Sequence, residues 1–154
     1  MSWQSWFAQA ESDLAAARLL SDGKYHSQAI WLASQAVEKG TKAILVALGL
    51  QYGEADFKRM NHNSVGVARI LPEALQAPLD PNIALKTATL QTKAERSRYP
   101  SPPQAIGKGA ELVAPSDDMT SSETEVADAT LLLEWCRERI GRAESAVVAM
   151  KPLG

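Results

Sequence analysis

The stretch Ala33–Leu48, ASQAVEKGTKAILVAL, has few ways to fold other than as an interior helix. Small or apolar residues recur at Ala29, Ala33, Ala36, Val37, Gly40, Ala43, Ile44 and Ala47, and these steps of three and four lay them along one helical stripe. Ile30, Trp31, Leu32, Leu45 and Val46 widen that stripe well past the single apolar face of a surface helix. Neighbours are therefore expected to cover this segment on several sides, which makes it the central helix. Gln35, Glu38, Lys39 and Lys42 interrupt it, and they need partners, because polar groups are costly to bury unpaired. Gly40, in mid-helix, costs about 1 kcal/mol in propensity relative to alanine, an amount that a closely packed neighbour or a ligand would offset.

The chain has 154 residues and is read as one domain over 1–154, long enough to form its own core without a metal or disulfide. Sixteen Lys and Arg stand against eighteen Asp and Glu, so there is no whole-protein basic field, and an anionic ligand has to be met locally. The single cysteine, Cys136, excludes an internal disulfide and fits a reducing cytoplasm. It falls on an apolar helix face, where packing is the expected role. No apolar run reaches the length of a membrane span, and Met1–Leu20 carries Glu11 and Asp13 and lacks a signal-peptide core. The expectation is a cytoplasmic protein without membrane contact.

A first helix is predicted from Trp3, Trp6, Phe7, Ala10, Leu14, Ala17 and Leu20, ending at Asp22-Gly23, where the glycine can take a left-handed C-terminal cap. The short turn to the central helix requires an antiparallel hairpin. Gly49 closes the central helix. Residues 51–63 read as a connection bearing Lys58, Arg59 and His62, followed by a short helix through Val65, Ala68, Ile70 and Leu71. Asp80-Pro81 starts a further helix that runs to about Ser97, with Lys86, Lys93 and Arg96 on one face. That basic stripe is either a solvated face or an anion contact.

Residues 100–120 form a long loop rich in proline and glycine. Ser122-x-x-Glu125 is a capping-box pattern, and Val126, Ala129, Leu133, Cys136, Ile140, Ala143, Val147 and Met150 mark a final helix of nearly thirty residues. Its outer turns, and Trp135 off the main stripe, are candidates for contact with a partner subunit. With no alternating segment in the chain, the fold class is all-α, an antiparallel up-and-down bundle of four to five helices.

Motifs for zinc or nucleotide phosphates are missing: there is no CxxC, HExxH, GxxxxGK[ST] or GxGxxG. Glu38 and Lys42, at i and i+4, are oriented for an ion pair, whereas Glu38 and Lys39 diverge by about 100° around the helix. His26 lies at the hairpin turn. His62, beside Lys58 and Arg59, is the one candidate general base or acid for phosphodiester cleavage. In Arg96-Ser97-Arg98-Tyr99-Pro100, guanidinium groups suited to phosphate adjoin a ring that can stack on a base.

Trp6, Ala10, Asp13-Leu14, the Gly23-Lys24-Tyr25 turn, Gln35-Ala36-Val37-Glu38-Lys39 with Lys42-Ala43, His62, and Arg98-Tyr99-Pro100 together resemble the HEPN family, the higher eukaryotes and prokaryotes nucleotide-binding domains, over about residues 3–150. The resemblance implies a homodimer and a ligand that is a nucleotide, such as ATP or GTP, or RNA. It also implies a nucleotidyltransferase partner in a toxin-antitoxin or stress system. It assigns Gln35, Glu38, Lys39, Lys42, His62, Arg98 and Tyr99 to recurrent positions. With the basic stripe added, the candidate ligand-binding set is Lys39, Lys42, His62, Arg96, Arg98 and Tyr99, with no firm cofactor and no metal. Alternatives are a metal-independent ribonuclease toxin using His62 and a purely structural interaction subunit. Enzymatic activity is not the favoured expectation. Ribonuclease members separate their arginine and histidine by four to six residues, whereas only two separate Arg59 from His62, and Ser101 stands where many relatives have an acid after RYP.

Overall fold

A computed structural model describes residues 1–49, 81–98 and 121–150. It contains α1 (Trp3–Asp22), α2 (His26–Ala47), α3 (Pro81–Arg98) and α4 (Glu123–Met150), with no strand among the described residues. The fold is all-α. The short helix expected through Val65–Leu71 and the loop at 100–120 lie outside the described residues.

Ser2 caps α1, its Oγ accepting from the Ser5 backbone N–H at 3.2 Å. Trp6, Phe7, Ala10, Leu14, Ala17 and Ser21 then turn inward, the spacing that defines one helical face. The far end of α1 differs from expectation. Gly23 is right-handed at φ −77°, and Lys24 takes the left-handed conformation at φ +63°. Tyr25 N–H bonds to the Leu20 carbonyl at 2.8 Å and Lys24 N–H to that of Ser21 at 3.0 Å, the paired bonds of a Schellman termination with Lys24 in the usual glycine position. Gly23 is one residue too early for that role. A Cβ there would come within 3.1 Å of the Tyr25 ring, so the glycine gives the ring room to fold back over the turn. α2 stops just before Gly49, as expected, and that glycine is left-handed at φ +89°.

α2 packs against each of the other three helices, as its broad apolar surface requires. Contacts from Trp3 to Glu144, Glu11 to Arg137 and Arg18 to Thr130 run α1 antiparallel to α4. The ion pairs Lys86–Asp128 and Lys93–Glu125 do the same for α3 and α4. The four helices thus alternate up and down around one core that includes Phe7, Leu14, Ile30, Ile44, Leu45, Leu90, Leu132, Cys136 and Ile140.

Gly40 marks the tightest crossing. A Cβ on it would stand 2.9 Å from Leu133 Cδ1 and 3.2 Å from Cys136 Sγ, so packing of α4 side chains accounts for the glycine. Cys136 is wholly buried, and burial pushes its thiol up to about 12, which keeps it protonated and inert. Among the described residues no helix is long and apolar enough to cross a membrane.

Candidate functional site

The α1–α2 hairpin gathers the polar residues of the central helix into one cluster. Antiparallel packing brings Asp13 of α1 opposite Lys39, whose Nζ donates to Oδ2 at 2.5 Å. One turn away, Lys42 Nζ donates to Glu38 Oε1 at 2.6 Å and stands 5.3 Å from the centre of the Trp6 ring, a cation–π distance. Gln35 Nε2 reaches Glu38 Oε2 at 3.4 Å. Glu38 is 7% exposed, which requires such partners. The i, i+4 pair is present as its spacing predicts, and each lysine faces a carboxylate that the helical hairpin supplies.

The two lysines of the basic stripe on α3 are turned toward α4. Lys86 pairs with Asp128, and Lys93 pairs with the buried Glu125. Arg96 lies further along α3 and is exposed, while Arg98 is the last residue of that helix. His62 and Tyr99 lie outside the described residues. Within the candidate set, Lys39 and Lys42 therefore come together, and Arg96 and Arg98 belong to another region of the bundle. His26, at the start of α2, meets Ser122 at the start of α4, and the C-terminal half of α3 packs at that same end. Lys39 lies 13 residues further along α2, roughly 20 Å at the helical rise. An extended ligand can reach both groups where a single phosphate cannot.

Sequence reasoning missed three features. Ser122 does not serve the capping box: its hydroxyl donates to Ser21 Oγ at 2.7 Å and lies 2.9 Å from His26 Nδ1, while Glu125 is engaged by Lys93. This buried network ties together the end of α1 and the starts of α2 and α4. Asp13 is the second, because its pairing with Lys39 joins two helices and leaves no local signal in the sequence. Arg139 is 3% exposed on α4, in phase with Leu132 and Cys136, and that phase was its available signal. Among the described residues, no three His, Cys, Asp or Glu side chains converge as metal ligands.

A family model described as HEPN domain matches residues 3–139. The chain belongs to the HEPN domain family. Two solved structures share the fold of this HEPN protein. One is TT1696 from Thermus thermophilus, with 19% identity and a TM-score of 0.60, covering 93% of this chain and 96% of its own. The other is ST0689, an archaeal HEPN homologue, with 22% identity and a TM-score of 0.53, covering 96% and 98%. No curated protein matches the chain. At these identities the likeness to the two structures concerns the fold, and the roles of individual side chains rest on the cluster itself.

Proposed function

We propose that this HEPN protein is a nucleotide-binding or interaction module of a cytoplasmic homodimer, working with a nucleotidyltransferase partner in a toxin-antitoxin or stress system. The observation that carries the reading is the convergence of Gln35, Glu38, Lys39 and Lys42 with Asp13 and Trp6 in one half-buried cluster. Lys39 keeps about a quarter of its side chain exposed, enough for its ammonium to exchange a carboxylate for a phosphate. In this reading an ATP, a GTP or a short RNA lies along the bundle. Lys39 and Lys42 meet one part of it, Arg96 and Arg98 meet phosphate at the other end, Tyr99 stacks on a base, and His62 adds a polar contact.

Thermal unfolding of the purified chain against ATP, GTP, CTP, UTP and a short RNA, with and without magnesium, tests this. One ligand is expected to raise the midpoint saturably by several degrees, since a ligand at 100 times its Kd stabilises by ~2.7 kcal/mol. The rise should shrink in Lys39→Ala and in Arg98→Ala. If no ligand moves the midpoint, the nucleotide part of the reading fails. Co-purification with the product of a neighbouring nucleotidyltransferase gene then tests the partner part by itself.

A specific observation also favours the second reading, an interaction subunit without a small ligand: the 2.5 and 2.6 Å contacts of Lys39 and Lys42 are those of fully engaged pairs. Here the motif residues hold the hairpin and the dimer. Unchanged dimer affinity after combined Lys39, Arg96 and Arg98 to Ala substitutions would count against it.

A further inference from the structure

α4 packs against the other three helices with its inner side and turns one face away from the bundle. On that outer face Ala127, Leu131, Glu134, Glu138, Gly141 and Ser145 are all exposed. At about 100° per residue these six fall within about 80° of one another, so they form one line along the helix. Two of them are out of place on a solvated surface. Leu131 is 48% exposed. Gly141 stands in mid-helix, where glycine is the least favourable residue after proline, and a Cβ added to it would meet nothing within 4 Å among the described residues. Gly40 has its reason in Leu133 and Cys136, which press against it, whereas no neighbour in the described chain gives a reason for Gly141.

The line is also symmetric about the level of Cys136. Leu131 and Gly141 lie equally far to either side of it, as do Glu134 and Glu138, and Ala127 and Ser145. A second α4 turned end over end about that level lays Leu131 of each helix over Gly141 of the other, a large side chain against an open space, twice. That exchange is the one made by the two-fold axis of an isologous dimer, and a different protein would require no such symmetry. The charges fit the same arrangement. Glu138 Oε1 accepts from Arg142 Nη2 at 2.5 Å, while the exposed Glu134 has no hydrogen-bond or ion-pair partner among the described residues. About this axis Arg142 of one copy lies one turn, about 6 Å, from the level of Glu134 of the other. Its five N–H donors then bridge its own Glu138 and that second carboxylate, so the facing acids are neutralised.

We propose that the outer face of α4 is the contact surface for a second copy of this chain, packed antiparallel, with Leu131 of each copy seated over Gly141 of the other. The proposal rests on the homodimer part of the function above and names the surface that makes it. None of Lys39, Lys42, His62, Arg96, Arg98 or Tyr99 belongs to this face, so the dimer leaves the candidate ligand-binding set uncovered by the contact itself.

Sedimentation of the full chain over a concentration series measures the dimer Kd and tests the surface. Leu131→Ala should weaken the dimer about a hundredfold, about tenfold for each of its two equivalent contacts. Gly141→Met should weaken it at least as much, because the new side chain fills the space that Leu131 of the other copy takes. The unfolding temperature of dilute Gly141→Met should not fall, since methionine is the better helix former and the position is open within one chain. Crosslinking fixes the antiparallel register without relying on stability. Leu131→Cys and Gly141→Cys should each give no disulfide-linked dimer alone, because like positions lie about 15 Å apart along the axis. An equimolar mixture of the two should give one under mild oxidation, and Cys136 is wholly buried and takes no part. A chain that stays monomeric throughout the series overturns both this surface and the homodimer reading. A dimer that keeps its Kd in both Leu131→Ala and Gly141→Met, or a mixture that does not crosslink, overturns this surface and leaves the homodimer reading standing.

Discussion

Lys39 Nζ and Asp13 Oδ2 stand 2.5 Å apart across the α1–α2 hairpin, joining residues 26 positions apart in the chain. The pair is partly shielded on both sides, so its contribution exceeds that of an exposed surface bridge and falls short of a fully buried one. A double-mutant cycle of Asp13→Ala and Lys39→Ala, followed by urea unfolding, should give a coupling of about 1–2 kcal/mol. A coupling near zero would mean that the cluster is held by its other members.

Gly40→Ala should destabilise despite the better helix propensity of alanine. The added methyl meets Leu133 and Cys136 at distances that force side chains to shift. Overpacking costs about 1–3 kcal/mol and the propensity gain returns about 1 kcal/mol, leaving a net loss of roughly 1 kcal/mol. Gly40→Val should lose more. A higher melting temperature for Gly40→Ala would show that α4 yields easily at this crossing.

Lys24→Gly should stabilise the protein. Lys24 holds a positive φ that costs an L-residue about 1–2 kcal/mol, and its side chain is exposed, so little packing is lost. Part of the gain is returned as unfolded-state entropy, and the net is about 0.5–1 kcal/mol, read as an increase in the urea midpoint at unchanged m-value.

The Cys136 thiol gives a pH dependence of defined sign. In the unfolded chain it ionises near ~8.5, and in the folded protein at about 12, because burial disfavours the thiolate. Between these values the unfolded state binds fewer protons, so the thiol's contribution is complete below the lower pKa and is lost as pH rises toward the upper one. Wild type should therefore lose stability faster than Cys136→Ala above about pH 9, by up to ~1.4 kcal/mol per pH unit. Parallel urea series at increasing pH compare the slopes, and equal slopes would exclude this contribution.

Helix spans, the central place of α2, the stop at Gly49 and the Glu38–Lys42 pair were all legible in the sequence. Each depends on interactions within a few residues or on an apolar period that the helix geometry itself imposes. The left-handed residue lies one position beyond the expected Gly23, because either Gly23 or Lys24 can close the turn, and the Tyr25 ring packing over Gly23 accompanies the choice of Lys24. Tertiary structure alone decided that Lys39 meets Asp13, that the α3 lysines face Asp128 and Glu125, that Ser122 serves Ser21 and His26, and that Arg139 is enclosed. Those outcomes depend on how far each helix is rotated and shifted against its neighbour. A rotation of one residue's 100° would exchange every partner while leaving the helical periods unchanged.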